Sequence, residues 1–195
     1  MSLLFVKWEK VIGTYASFLD PEQKFGSFHY PGRPSQGYPR SGATQGDWMT
    51  DFRNLIAAKG SENWDRRPPA PPRQVAKLQS SLPFALPADY LDFLLYSNGA
   101  YGEIPVKPYW CIIFTVNEVL DENIGHEINE RLPGYFAFAS SGNGELLTFK
   151  TAEFPNPVYS FAISNLDAHA ECFVAANILD LICMLGKANA DKEES

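Results

Sequence analysis

His169 and Cys172 are the residues of this 195-residue chain that most resemble a nucleophile and its base. A thiol acts as a nucleophile when an imidazole takes its proton within hydrogen-bond reach. Three apart in a strand-like stretch, the two side chains alternate to opposite faces, and no Gly-rich strand-to-helix elbow accompanies them. His126, Glu127 and Glu130 begin a helical zinc motif but do not complete it, because Glu130 stands where the second histidine belongs. SGNGE, residues 141–145, lacks the third glycine, the lysine and the following helix of a nucleotide loop, so it reads as a turn. Cys111, Cys172 and Cys183 lie singly in apolar surroundings, which suits buried thiols in a reducing compartment. The expectation is a chain that is not an enzyme and uses no metal or cofactor.

Carboxylates supply a different chemistry. VNEVLDENIGHEINER, residues 116–131, carries Glu118, Asp121, Glu122, Glu127 and Glu130 against a single Arg131. A solvated face explains such a run, and so does a surface presented to a basic protein. Tyr101, Glu103 and Tyr109 form an aromatic and acidic rim just ahead of it, with tyrosines as anchors and carboxylate to pair with Arg or Lys. Charge is uneven along the chain: residues 1–75 sum to +3 and residues 76–195 to −10. An acidic body repels nucleic acid and steers basic surfaces toward it. His29, Tyr30, Arg33, Tyr38 and Arg40 mix rings with positive charge, but the segment is less basic than a free RNA-binding arm; a loop lying against the acidic body is the favoured reading. No stretch approaches the roughly 18 apolar residues of a membrane helix, and the start is too short an apolar run for a signal peptide. The chain therefore reads as cytoplasmic, with no membrane or direct nucleic-acid partner.

These residues need elements to hold them. Residues 4–19 have amphipathic helical spacing, residues 25–46 are a Gly/Pro/Ser-rich loop, and Asp47 opens a helix running to Lys59-Gly60. RRPPAPPR, residues 66–73, reads as a stiff extended connector with a boundary near Pro72. A short helix is expected over 74–81. A second runs from Pro87, with Asp89 in its first turn, to a stop at Asn98-Gly99, and buries Phe93 and Leu94. The period then changes: 109–115, 135–139, 145–150, 157–164 and 171–174 read as strands, the second and third joined as a hairpin with positive φ at 142–144. Asn177 caps a last helix over 178–185. The class is α+β, an antiparallel sheet with helices packed on it. The expected division is an N-terminal extension over 1–72, a domain over 73–186 and a frayed tail over 187–195.

LPADYLDFLLYSNGAYG, residues 86–102, resembles the hallmark of the SUKH superfamily. Trp110, the segment Phe136–Gly144, and Val174-Ala175 followed by Asn177-Ile178-Leu179-Asp180-Leu181 are similar to that family's later landmarks in the same order. The resemblance covers residues 73–186; it departs at Lys150, where an acidic residue is common. It implies an antiparallel sheet carrying packed helices and, for bacterial members, a cytoplasmic, non-catalytic immunity protein that binds and blocks a toxin domain, often a nuclease. A fungal branch acts instead as a scaffold linked to cell-wall synthesis. The expected partner is a cognate toxin with a basic surface, contacted through Tyr101, Glu103, Tyr109, Glu118, Asp121, Glu122, Glu127 and Glu130; the alternative is an intracellular scaffold or regulator with no toxin partner.

Overall fold

A computed structural model describes residues 54, 56–58 and 63–188. The expected helix over 4–19, the loop over 25–46 and the tail beyond 188 lie outside the described residues. Asn54, Ile56, Ala57 and Ala58 are helical, within the span expected for the second N-terminal helix.

Seven strands form one sheet whose spatial order is their chain order, each antiparallel to the next. They are β1 (Asp65–Arg66), β2 (Ala100–Glu103), β3 (Trp110–Ile113), β4 (Tyr135–Ser140), β5 (Glu145–Lys150), β6 (Val158–Ala162) and β7 (Cys172–Ala175). Antiparallel neighbours need no crossover, so the helices between strands are excursions rather than obligatory connections. Helices α1 (Pro72–Ser80) and α2 (Ala88–Tyr96) interrupt β1–β2, α3 (Glu118–Gly125) and α4 (Ile128–Arg131) interrupt β3–β4, and α5 (Ile178–Met184) follows β7. The fold is α+β, as the apolar periods imply.

Helix α2 supplies the centre of the core. Tyr90, Phe93 and Leu94 are fully buried, and the Tyr90 ring meets Phe138 edge-on at 5.7 Å and Phe149 at 6.5 Å. Phe136 and Phe149 extend the cluster at 5.6 Å. Residues ahead of α1 also pack here. Trp64 lies 6.2 Å from the Phe93 ring, and the Ala70 N–H donates to Leu94 O at 2.9 Å. The stretch read as a bare connector thus contributes Arg66 to an edge strand and Pro72 to the start of α1.

The helix stop differs from the expected one. Ser97 is extended, and the left-handed residue comes two positions later at Gly99, φ +87°, where it turns the chain into β2. A Cβ there would lie 2.8 Å from Ile113 O, so only glycine lets β2 approach β3. The two residues before it tie other segments down. Ser97 Oγ accepts from Arg67 N–H at 3.1 Å and donates to Gly99 O at 2.6 Å, while Asn98 Oδ1 accepts from Val116 N–H at 2.8 Å.

β4 carries an irregularity between Ala137 and Ala139, and Asn123 of α3 fills it. Its Oδ1 accepts from Ala137 N–H at 3.0 Å; its Nδ2 donates to Ala137 O at 2.6 Å and Val119 O at 2.7 Å. The β4–β5 hairpin turns through positive φ at Gly142 and Gly144, but not at Asn143. Asn177 Oδ1 caps α5 by accepting from Asp180 N–H at 2.8 Å. Among the cysteines only Cys111 is buried, its thiol pushed up to about 12 by desolvation; Cys183 is half-buried and Cys172 exposed, against the expectation of three buried thiols.

Candidate docking surfaces

The acidic run forms α3 and α4 with their junction. Thr115 and Glu118 make a reciprocal cap: Thr115 Oγ1 accepts from Glu118 N–H at 3.2 Å, and Glu118 Oε2 accepts from Thr115 N–H at 2.9 Å. Glu118 Oε1 also lies 3.5 Å from Arg67 Nη1. Partial desolvation pushes the Glu118 carboxyl up, but its hydrogen bonds from Thr115 and the Arg67 charge together hold it below the usual range. Glu118 therefore anchors the helix start as well as standing at the surface. Asp121 is exposed; Glu122 pairs with His126 at 3.4 Å, one turn on. Glu127 takes a left-handed conformation, φ +54°, from which its carbonyl accepts Glu130 and Arg131 N–H groups and starts α4. Glu127 and Glu130 are both exposed.

The rim residues fall on β2 and the turn into β3. Tyr101 and Glu103 are the outward positions of β2, paired with Ile112 and Trp110 respectively. The Tyr101 ring stands 6.4 Å from Trp110. Hydrogen bonding to Asp65, and then the charge of that carboxylate, raise the Tyr101 hydroxyl. Tyr109 precedes Trp110 in a tight turn, φ +67°, its N–H donating to Val106 O at 2.7 Å, and it is exposed. Arg67 links the two sets: its charge acts on Tyr101, and it pairs with Glu118. Glu103 and Tyr109 gather instead at the turn end of β2–β3.

A second surface escaped sequence reasoning. On the outward side of β4–β7, Lys150 Nζ lies 3.3 Å from Glu153 Oε1 and 3.2 Å from Glu171 Oε2, and 4.7 Å and 5.6 Å from the ring centroids of Tyr159 and Tyr135. The Tyr135 hydroxyl donates to the same Glu171 Oε2. Tyr135 packs edge-on against Phe161 and Tyr159, and Tyr159 against Phe173, which is 66% exposed. Desolvation and then Glu171 push the Tyr135 hydroxyl up to about 12. Partial desolvation pulls Lys150 down, but Glu171 and Glu153 outweigh it and hold the ammonium above its usual range. Glu171 is held low, first by the Tyr135 hydrogen bond. The signal was present in the strands: Tyr159 and Phe161 alternate, and Lys150 breaks the expected acidic pattern.

His169 lies in a 3-10 turn, Ala168–Ala170, and Cys172 in β7. Among the described residues, no three His, Cys, Asp or Glu side chains converge to hold a metal ion, and no helix is long and apolar enough to cross a membrane.

The sequential antiparallel sheet with its helical excursions makes this an α+β protein, and it carries two charged, aromatic faces. The model of the SMI1 / KNR4 family (SUKH-1) matches residues 69–182, more than half the chain, and the chain belongs to that family. No curated protein matches it.

Proposed function

We propose that the chain is a non-catalytic binding module, a bacterial immunity protein that works in the cytoplasm by binding and blocking a toxin domain with a basic surface. Membership of the SUKH-1 family over residues 69–182 carries this reading. The −10 charge beyond residue 75 supports the sign of the partner, because carboxylates steer and orient a basic protein. The contact is made by Glu118, Asp121, Glu122, Glu127 and Glu130, with Tyr101, Glu103 and Tyr109 as the rim.

The test is co-expression with the toxin domain encoded beside this chain's gene. The chain is expected to restore growth and to form a complex that weakens as salt rises through the physiological range. Asp121→Lys with Glu122→Lys should lower affinity on the order of tenfold, while the loss of a first-turn carboxylate and of the Glu122–His126 pair lowers stability by only about 1 kcal/mol, so that the variant stays folded at the binding temperature. Glu118 is left intact because reversing it would also break the α3 cap. Salt-insensitive binding, or full affinity in the reversed variant, would overturn the acidic contact. Failure of the wild-type chain to bind or rescue would remove the immunity reading and leave the scaffold or regulator.

A further inference from the structure

We propose that the outward face of β4–β7 is a docking site for an arginine side chain presented by a basic protein. It rests on the proposed function only for the identity of the protein that brings the arginine.

Three observations carry the site. The first is pre-organisation: Lys150 is fixed by two carboxylates and two rings, and Tyr135, Tyr159, Phe161 and Phe173 lock one another edge-to-face. Groups already ordered lose little freedom when a partner arrives. The second is an exposed aromatic at the end of this ordered row. Phe173 is 66% exposed on β7, the last strand of the sheet, while the rings behind it are half or fully buried. The third is unused acceptor capacity beside that ring. Glu171 and Phe173 are two apart in extended chain and share a side. Both the Lys150 and Tyr135 contacts to Glu171 fall on Oε2, which leaves Oε1 to receive a further donor.

The charge count selects the occupant. Glu153 and Glu171 face one ammonium, so the patch keeps a net negative charge on an already acidic body. A second copy of a chain with net charge −7 is repelled, and an acidic or nucleic-acid ligand more so. A guanidinium satisfies both remaining features at once, its plane stacking on an exposed ring while its N–H fork meets a carboxylate. An ammonium can pair with Glu171 but lacks the planar stack.

The probe is a blocked Arg-Gly-Arg peptide, titrated into the 15N-labelled full chain, with the citrulline peptide as the uncharged control. Saturating amide shifts at Tyr159, Glu171 and Phe173 are expected with the arginine peptide and not with citrulline. Phe173→Ser and Glu171→Gln should each weaken binding about tenfold. Both sites are exposed, so thermal unfolding of the two variants reports whether the fold is retained. Absent shifts, shifts confined to α3, or equal binding by both variants would overturn the site. The toxin domain provides the second arm, in which both variants should lose affinity. A wild-type toxin complex that both variants keep removes this face from the interface and leaves the immunity function standing. Peptide binding at Phe173 with no toxin complex at all does the reverse.

Discussion

Tyr90 places a hydroxyl at the centre of the core, between Phe138 and Phe149, with no hydrogen-bond partner. Burial alone raises its pKa far above the usual tyrosine range, which measures how thoroughly water is excluded. An orphaned buried hydroxyl costs its desolvation, so Tyr90→Phe should leave stability unchanged or raise it by about 1 kcal/mol. A shift of the urea midpoint to higher concentration at constant slope would register the gain; a clear loss would mean that the hydroxyl has a partner. Asn123 is the opposite case, a buried amide with three short bonds, two of them to Ala137. Asn123→Ala would strand the N–H and C=O of a buried strand residue and should cost about 2–3 kcal/mol by the same measurement. Read from sequence, Asn123 was one more polar residue in an acidic run. Its role depends on an irregularity in β4, which local spacing does not reveal.

Helix α3 shows a signal that was legible and passed over. Thr115-Val-Asn-Glu118 is a capping box, Ser or Thr followed three residues later by Glu, directly before an apolar period. Thr115→Ala should cost about 1 kcal/mol, seen as a lower urea midpoint. These contacts and the Arg67 charge lower the Glu118 pKa, so the stability it contributes is present above the unfolded-state value, near pH 4, and is lost as pH falls through the lower folded value. Strands β4 to β7 and helices α2 and α5 were readable because their apolar periods run for a full face. β1 and β2 were not. Two residues of Asp-Arg and four of Ala-Tyr-Gly-Glu carry no period of their own, and they become strands only because Gly99 lets β2 lie against β3 and β1 then finds a free edge.

The molecule concentrates its linked ionisable groups on the outward face of β4–β7, and that makes its alkaline limit predictable. Tyr135 and Lys150 both hold their protons more tightly when folded. The stability they contribute is complete below their unfolded values, near pH 10, and is lost as pH rises through the folded ones. Urea midpoints measured between about pH 9 and pH 12 should therefore fall, and Tyr135→Phe should flatten part of the slope by removing one of the titrating groups. An unchanged slope in that variant would show that neither burial nor Glu171 tightens the tyrosine's hold on its proton. Family membership and the acidic charge belong to the same whole, since both are spread over residues 69–182 rather than held by one side chain.

Sequence alone determined the α+β class, the family, the helix that centres the core and the sign of the charge. Each depends on composition or on a period repeated within one segment, which a chain displays without folding. Tertiary structure decided strands β1 and β2, the clasp of Asn123, the double duty of Glu118, and the gathering of Tyr135, Lys150, Tyr159, Glu171 and Phe173 on one face. Those depend on contacts such as Asn123 to Ala137 and Arg67 to Glu118, 14 and 51 positions apart, and proximity of that kind exists only once strand register has been set.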